Sequence, residues 1–273
     1  MRILFIGDIF GKPGREIARR AVPALVAQRE IDFVIANVEN SAAGFGVTGD
    51  IADTILSYGV DVMTTGNHVW DKKEILEYFP RQPKLLRPAN FPAGVPGRGS
   101  YLGRTRTGEP VGVINLMGRI FMAPLDDPFA AVLREIEQLR GKARIIIVDF
   151  HGEATSEKVA MGWHLDGRVT AVFGTHTHVQ TADERILPKG TACLTDTGMT
   201  GPHDSIIGVT VEAALGRFIN GMPARFESAT GVGRLNAVLV TADLASGKAT
   251  AIERLNMSSQ EVDALAAGAA RSH

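Results

Sequence analysis

Five short segments of this 273-residue chain gather four of its seven histidines with carboxylates and carboxamides, side chains able to bind a cation or move a proton. They are Gly7-Asp8, Val38-Glu39-Asn40, Gly66-Asn67-His68, His151-Gly152-Glu153 and Gly174-Thr175-His176-Thr177-His178. Together they supply carboxylates, carboxamides and imidazoles, with no serine or lysine placed as a nucleophile. Such a mixed oxygen and nitrogen set suits iron, manganese or zinc and is large enough for two ions. Each segment alone has a plainer explanation. Asp8 could cap a helix, Gly66-Asn67 could be a turn, and a single His151 could be a hydrogen-bonded core histidine. The pair His176-x-His178 is more specific, and the coincidence of all five carries the metal reading.

The elements that must position these segments are legible around them. Apolar, β-branched runs at 2–6, 32–36, 60–64, 111–116, 144–150, 169–173 and 235–241 predict strands. Most lack polar alternation, as in strands buried on both faces. The five segments follow directly on such runs, at the carboxyl ends where open α/β sheets collect functional groups. Ile17, Ala18, Ala21, Val22, Leu25 and Val26 form one helical face, which Pro23 is expected to kink or shorten. Phe129, Val132, Leu133, Ile136 and Leu139 form a second face. A third helix, with Ile51, Ile55 and Leu56 inward, starts from Thr48 or Asp50 as its cap.

The order β-α-β-α-β-α over the first eighty residues implies right-handed parallel crossovers, hence an α/β fold. Residues 80–110 turn proline- and glycine-rich. Tyr101–Thr107 and the turn at Gly108-Glu109-Pro110 predict a hairpin and a shift to mixed strands. Ala264–His273 reads as a frayed helix, and residues 1–273 read as one domain.

Composition narrows the function. A chain that is 45% hydrophobic and 22% charged is a folded globular protein. With 29 Lys+Arg against 30 Asp+Glu it lacks the basic excess of a duplex-DNA binder. A single cysteine, Cys193, excludes a disulfide scaffold. The first apolar run is too short for a signal-peptide core, and no stretch approaches the roughly 18 apolar residues of a membrane span. These features read as a cytoplasmic protein without a membrane partner, and they leave homo-oligomerisation open. Gly44-Phe-Gly46-Val-Thr-Gly49 stands too far from its strand to be a dinucleotide turn, and Gly11-Lys12-Pro13 lacks P-loop spacing.

Gly66-Asn67-His68, His151 and Gly174-Thr-His176-Thr-His178 resemble blocks of the calcineurin-like metallophosphoesterase superfamily, with signature Asp-x-His, Gly-Asp, Gly-Asn-His, His, Gly-His-x-His. The chain departs from it at Asp8-Ile9-Phe10, which lacks the histidine, and at Glu39-Asn40, which replaces Gly-Asp. One extra residue also separates Gly174 from His176. Glu39-Asn40, Gly7-Asp8-Ile9-Phe10-Gly11 and the run Thr195 to Pro202 resemble a bacterial branch containing 2′,3′-cyclic-nucleotide 2′-phosphodiesterases. That resemblance extends over nearly the whole chain.

The resemblance implies a metallophosphoesterase-like four-layer α/β/β/α sandwich with two mixed central sheets. It implies two metal ions, iron or manganese foremost and zinc allowed. Asp8, Glu39, Asn40 and His178 would hold one ion; Glu39, Asn67, His151 and His176 would hold the other, with Glu39 bridging. It further implies in-line attack on a small cyclic nucleotide or other phosphodiester by a metal-bridging hydroxide, with a 3′-nucleotide as product. His68, beside Asn67, would protonate the leaving 2′-oxygen. Asp71 and Glu153 are candidates to orient histidines, although helix capping explains them equally well. Arg119 and Phe121 are candidates to meet phosphate and base, and His203 could line the site mouth. Two other functions fit the same residues: a phosphomonoesterase acting on nucleotides or phosphoproteins, and a non-catalytic metal-dependent regulator. An intact His68 beside a complete donor set argues against the second.

Overall fold

The alternation in the first eighty residues folds as one half of the protein; the computed structural model describes residues 1–223 and 225–270. In order come β1 (Arg2–Ile6), the short β2 (Asp8–Ile9), α1 (Gly11–Gln28), β3 (Phe33–Asn37), α2 (Gly49–Ser57), β4 (Val62–Thr64) and a single turn, α3 (Ile75–Tyr78). β1, β3 and β4 are parallel neighbours, with Ile3 opposite Phe33 and Ile35 opposite Val62. Thr48 is the cap of α2: its side chain accepts from the Ile51 amide at 3.3 Å, and Asp50 places a carboxylate in the positive first turn.

α1 is not shortened at Pro23. It continues through Pro23 to Gln28 without ending. Pro23 lies on the exposed face, where the carbonyl that loses its amide partner can turn to water.

The second half opens with the expected hairpin, β5 (Ser100–Arg104) antiparallel to β6 (Pro110–Met117). It continues through α4 (Pro128–Leu139), β7 (Ile145–His151), α5 (Thr155–His164), β8 (Ala171–Thr175), β9 (Arg185–Ile186) and β10 (Ala192–Leu194). Asp127 caps α4 by accepting from the Phe129 amide at 3.0 Å. These strands form a sheet in the order β5-β6-β7-β8-β10-β9. The chain then returns to the first sheet with β11 (Met199–Pro202), α6 (Val211–Asn220), β12 (Gly233–Ala242), β13 (Ala249–Met257) and α7 (Ser259–Ala270). That sheet runs β2-β11-β12-β1-β3-β4, with β13 on β12, and β12 lies antiparallel to β1. Both sheets are mixed.

The burial pattern gives the layers. Phe5, Phe33, Ile147, Phe173 and Val238 interdigitate between the two sheets. Ile17, Ala21 and Val22 of α1, Ile55 of α2 and Val262 of α7 cover the outer face of the first sheet. Val132 of α4 and Met161 of α5 cover the outer face of the second. The result is the anticipated α/β/β/α sandwich. α7 packs on α1, where Arg20 pairs with Asp263; residues 271–273 of the expected frayed end lie outside the described residues. Among the described residues no helix is long and apolar enough to cross a membrane.

Candidate metal centre

The carboxyl ends of β3 and β4 from one sheet and β7 and β8 from the other meet around one nitrogen atom. His151 Nε2 lies 3.0 Å from Glu39 Oε1, 2.9 Å from Asn67 Oδ1 and 3.0 Å from His176 Nδ1. Its other ring nitrogen is committed. Thr175 Oγ1 donates to Asp149 Oδ1 at 2.7 Å, so it accepts from His151 Nδ1–H at 2.9 Å. Asp149 is itself fixed by Asn37 Nδ2 at 3.0 Å and by the Thr64 hydroxyl. A proton on His151 Nε2 can satisfy one of its three electron-rich neighbours, whereas a divalent ion satisfies all of them.

A second group stands beside the first. His178 Nε2 lies 3.2 Å from Asn40 Oδ1. His178 Nδ1–H donates to the Ile207 carbonyl at 2.8 Å, and Asn40 Nδ2 donates to the Gly44 carbonyl at 2.9 Å. Both partners therefore present lone pairs to each other, an arrangement that also calls for a cation. Asp8 Oδ2 accepts from the His176 amide at 3.2 Å, but its Oδ1 is buried with no hydrogen-bond partner. A buried carboxylate oxygen left unpaired is costly, and a metal ion is its natural complement. The donor chemistry thus fits a two-ion set.

The electrostatics point the same way. Burial drives the Asp8 carboxyl well above its ordinary range, and Glu39, Asp196 and Asp149 add to this against the opposing pull of His151. Glu39 is also buried, yet the His151 ring beside it holds it down at about 2. Burial alone would lower His151, but Glu39, Asp8 and Asp149 push it up to about 9. Burial and the His151 charge take His176 down to about 3, and burial also lowers His178. The cluster's carboxylates thus favour the charged form of His151, while burial disfavours it at His176 and His178.

These donors form one side of a cleft. His68 lines it, with its amide donating to Glu39 Oε2 at 3.2 Å and its Nδ1–H donating to Asp71 Oδ2 at 2.8 Å. Glu153 Oε2 accepts from His176 Nε2 at 2.9 Å. Both acidic residues singled out in the sequence therefore orient histidines. Other expectations end elsewhere. Arg119 pairs with Asp127, Phe121 is 89% exposed and belongs neither to the core nor to the cleft, and His203 bonds the Gly201 carbonyl and Asn236.

A family model described as YmdB-like protein matches residues 4–255. The chain belongs to the YmdB-like family, within the metallophosphoesterase superfamily. It is 50% identical over 256 residues to the 2′,3′-cyclic-nucleotide 2′-phosphodiesterase of Bacillus subtilis, covering 93% of this chain and 96% of that one. A solved structure of a hypothetical protein from Thermus thermophilus superimposes with a TM-score of 0.88 at 43% identity, covering 94% of this chain and 99% of the other. A phosphatase from Mycoplasma pneumoniae superimposes with a TM-score of 0.87 at 33% identity, covering 96% of each.

In this member of the YmdB-like family, the turn carrying two of the histidines has its own support. His176 (φ 107°) and His178 (φ 66°) both occupy the left-handed region that residues with a Cβ avoid. Between them, Thr177 donates to Asp196 Oδ2 from its amide at 3.1 Å and from its hydroxyl at 2.7 Å. The same oxygen accepts from Lys158 Nζ at 2.7 Å, and Asp196 Oδ1 accepts from the Gly198 amide at 2.8 Å. The Lys158 and Asp196 side chains are only 2% and 1% exposed. Burial works against the Asp196 charge, but Lys158 and these hydrogen bonds keep its pKa below normal.

Sequence reasoning assigned no role to Lys158, Asp196, Asp149 or Thr175. Asp149 could have been found, because it shares a strand face with His151 two residues on. Glycine explains the close approach: a Cβ at Gly66 would lie 2.2 Å from His151 Cδ2 and 2.4 Å from Glu39 Oε2.

Proposed function

We propose that this chain hydrolyses 2′,3′-cyclic nucleotides to 3′-nucleotides with two divalent ions, iron or manganese foremost and zinc allowed. The observation that carries this reading is the convergence of Glu39, Asn67 and His176 on His151 Nε2, beside an Asp8 Oδ1 that has no hydrogen-bond partner. The identity to a cyclic-nucleotide phosphodiesterase over most of both chains supports it. Asp8, Glu39, Asn40 and His178 would hold one ion, and Glu39, Asn67, His151 and His176 would hold the other. When bound, such ions supply Lewis acidity and an activated water for in-line attack on phosphorus.

The chain's own residues do the rest. Thr175 and the Ile207 carbonyl fix the tautomers of His151 and His178, so each presents Nε2 as a donor. Asp71 takes the Nδ1–H of His68, leaving Nε2 as the atom that delivers a proton. In a 2′,3′-cyclic substrate that proton goes to the leaving 2′-oxygen, and the phosphate stays on the 3′-oxygen.

Two measurements test this. His68→Ala should retain both ions by elemental analysis yet lose about 10²- to 10⁴-fold in turnover; full activity with both ions bound would remove His68 from the reaction. A panel of 2′,3′-cyclic, 3′,5′-cyclic and monoester substrates should rank the 2′,3′-cyclic compounds first. Preference for monoesters would replace this reading with a phosphomonoesterase.

A further inference from the structure

The rest of the cleft lining is chemically unlike the metal donors. Phe45, Ile207, Val209 and Phe226 form an apolar wall there, and Phe10 forms its buried floor. Phe45 is half-buried on the turn after Gly44, with its ring edge-on to His68 at 5.1 Å and an interplanar angle of 79°. Phe226 is half-buried, and the Arg217 guanidinium lies 5.1 Å from its ring centroid. Phe10 is edge-on to His178 at 5.6 Å and only 3% exposed, so it supports the wall without offering a face.

Among the described residues, the polar side chains lining the cleft belong to the donor side or flank it. Glu153 is engaged by His176, and the Thr177 hydroxyl is given to Asp196. The apolar wall therefore has aromatic surface and no side-chain donor or acceptor for the edge of a base. Arg217 covers one face of the Phe226 ring and leaves the other for a base to stack on.

We infer that Phe45 and Phe226 form a stacking subsite that holds the nucleobase of the substrate by its face and does not read its identity. This rests on the phosphodiester reading above and adds the part of the substrate that lies away from phosphorus. Stacking is tolerant because every base has a π face. Strong discrimination needs buried polar groups that the wrong base leaves unpaired, and this wall has none. Purines gain modestly over pyrimidines by their larger overlap.

The test compares nucleotides with a base-less analogue on the metal-loaded full chain. The substrates are the 2′,3′-cyclic phosphates of adenosine, guanosine, cytidine and uridine, and the 2,3-cyclic phosphate of 1-O-methylribose. Calorimetry measures binding of the corresponding 3-phosphates independently of turnover. Adenosine should exceed the base-less compound by roughly 10- to 100-fold in both kcat/KM and affinity. Phe226→Ala and Phe45→Ala should collapse that ratio towards unity, mainly through KM, and Phe226→Trp should restore it. The four bases should fall within about tenfold of one another.

A wild-type ratio near unity, or an unchanged ratio in both alanine variants, would overturn the subsite. Discrimination beyond about 100-fold among the four bases would overturn its indifference. Should the loaded enzyme cleave neither class of cyclic diester, the phosphodiesterase reading fails by itself, and the 3-phosphate affinity ratio still decides the wall.

Discussion

Around His151 the orienting partners are side chains on buried strands, whereas around His178 they are carbonyls on loops. Thr175, Asp149, Asn37 and Thr64 are all fully buried and form a relay across both sheets beneath His151. Gly44 and Ile207, which hold Asn40 and His178, lie on connections outside the regular elements. Those connections include non-glycine residues with positive φ, Ala43 at 58° and Ile207 at 47°. A strand-borne partner moves only with the sheet, while a loop carbonyl moves with its loop. One half of the centre is therefore set by the core, and the other half is coupled to the cleft wall that the substrate would touch.

That contrast can be broken at four places. In the proposed two-ion arrangement Glu39 serves both halves, so Glu39→Gln should release both ions. Because indirect partners alone cost about 10- to 100-fold in metal affinity, the loss here should exceed roughly 100-fold in a metal titration. Retention of one ion would show that the halves are independent of their bridge.

Asp196→Asn removes the anchor of a turn that carries one histidine of each half. Leaving Lys158 buried without its partner should cost about 3–5 kcal/mol of stability at neutral pH. The sign follows from the depressed pKa: the Asp196 contribution is complete above its ordinary value of 3.8 and is lost as pH falls through the lower folded value. Thermal melts from acid to neutral pH should show that acid limb in the wild type and its loss in the variant.

Thr175→Val cuts the relay under His151. It should weaken the His151 half by about 10- to 100-fold and spare the other, with recovery in Thr175→Ser. Equal weakening of both sites would erase the distinction between strand-held and loop-held donors. The smallest effect belongs to Gly208→Ala. Gly208 has φ +101°, and a Cβ there would lie 2.7 Å from the Phe10 ring, displacing the loop that carries the Ile207 carbonyl. With strain of about 1–3 kcal/mol, the His178 half should weaken by roughly tenfold while the His151 half holds. Metal titration of the two variants side by side decides between them.

Much of this centre was legible because it is local. Gly7-Asp8, Glu39-Asn40, Gly66-Asn67 and His176-x-His178 are each written in adjacent or nearly adjacent letters at a strand exit, so the strand ends and the donors emerge together. Asp71 and Glu153 were visible for the same reason, since each lies within a few residues of a ligand or of the acid. The relay and the clamp join residues far apart in sequence, such as Lys158 and Asp196, and nothing in spacing links them. The fold shows the same division. The long apolar strands and the capped helices announce themselves, but β13 does not, because four of its nine residues are exposed and it is ordered by pairing with β12. α1 outran its expected break because Pro23 faces solvent, which is a property of packing.

The buried Lys158 has a consequence for the turn that carries the paired histidines. A turn that places two histidines in a backbone conformation residues avoid must be held by something. Here the holder is a cation covalently part of the chain, engaged with Asp196, which Thr177 also binds. The shape of the turn thus has a holder within the chain itself. A turn set by its own internal charge pair presents two imidazoles already placed for whatever cation they receive.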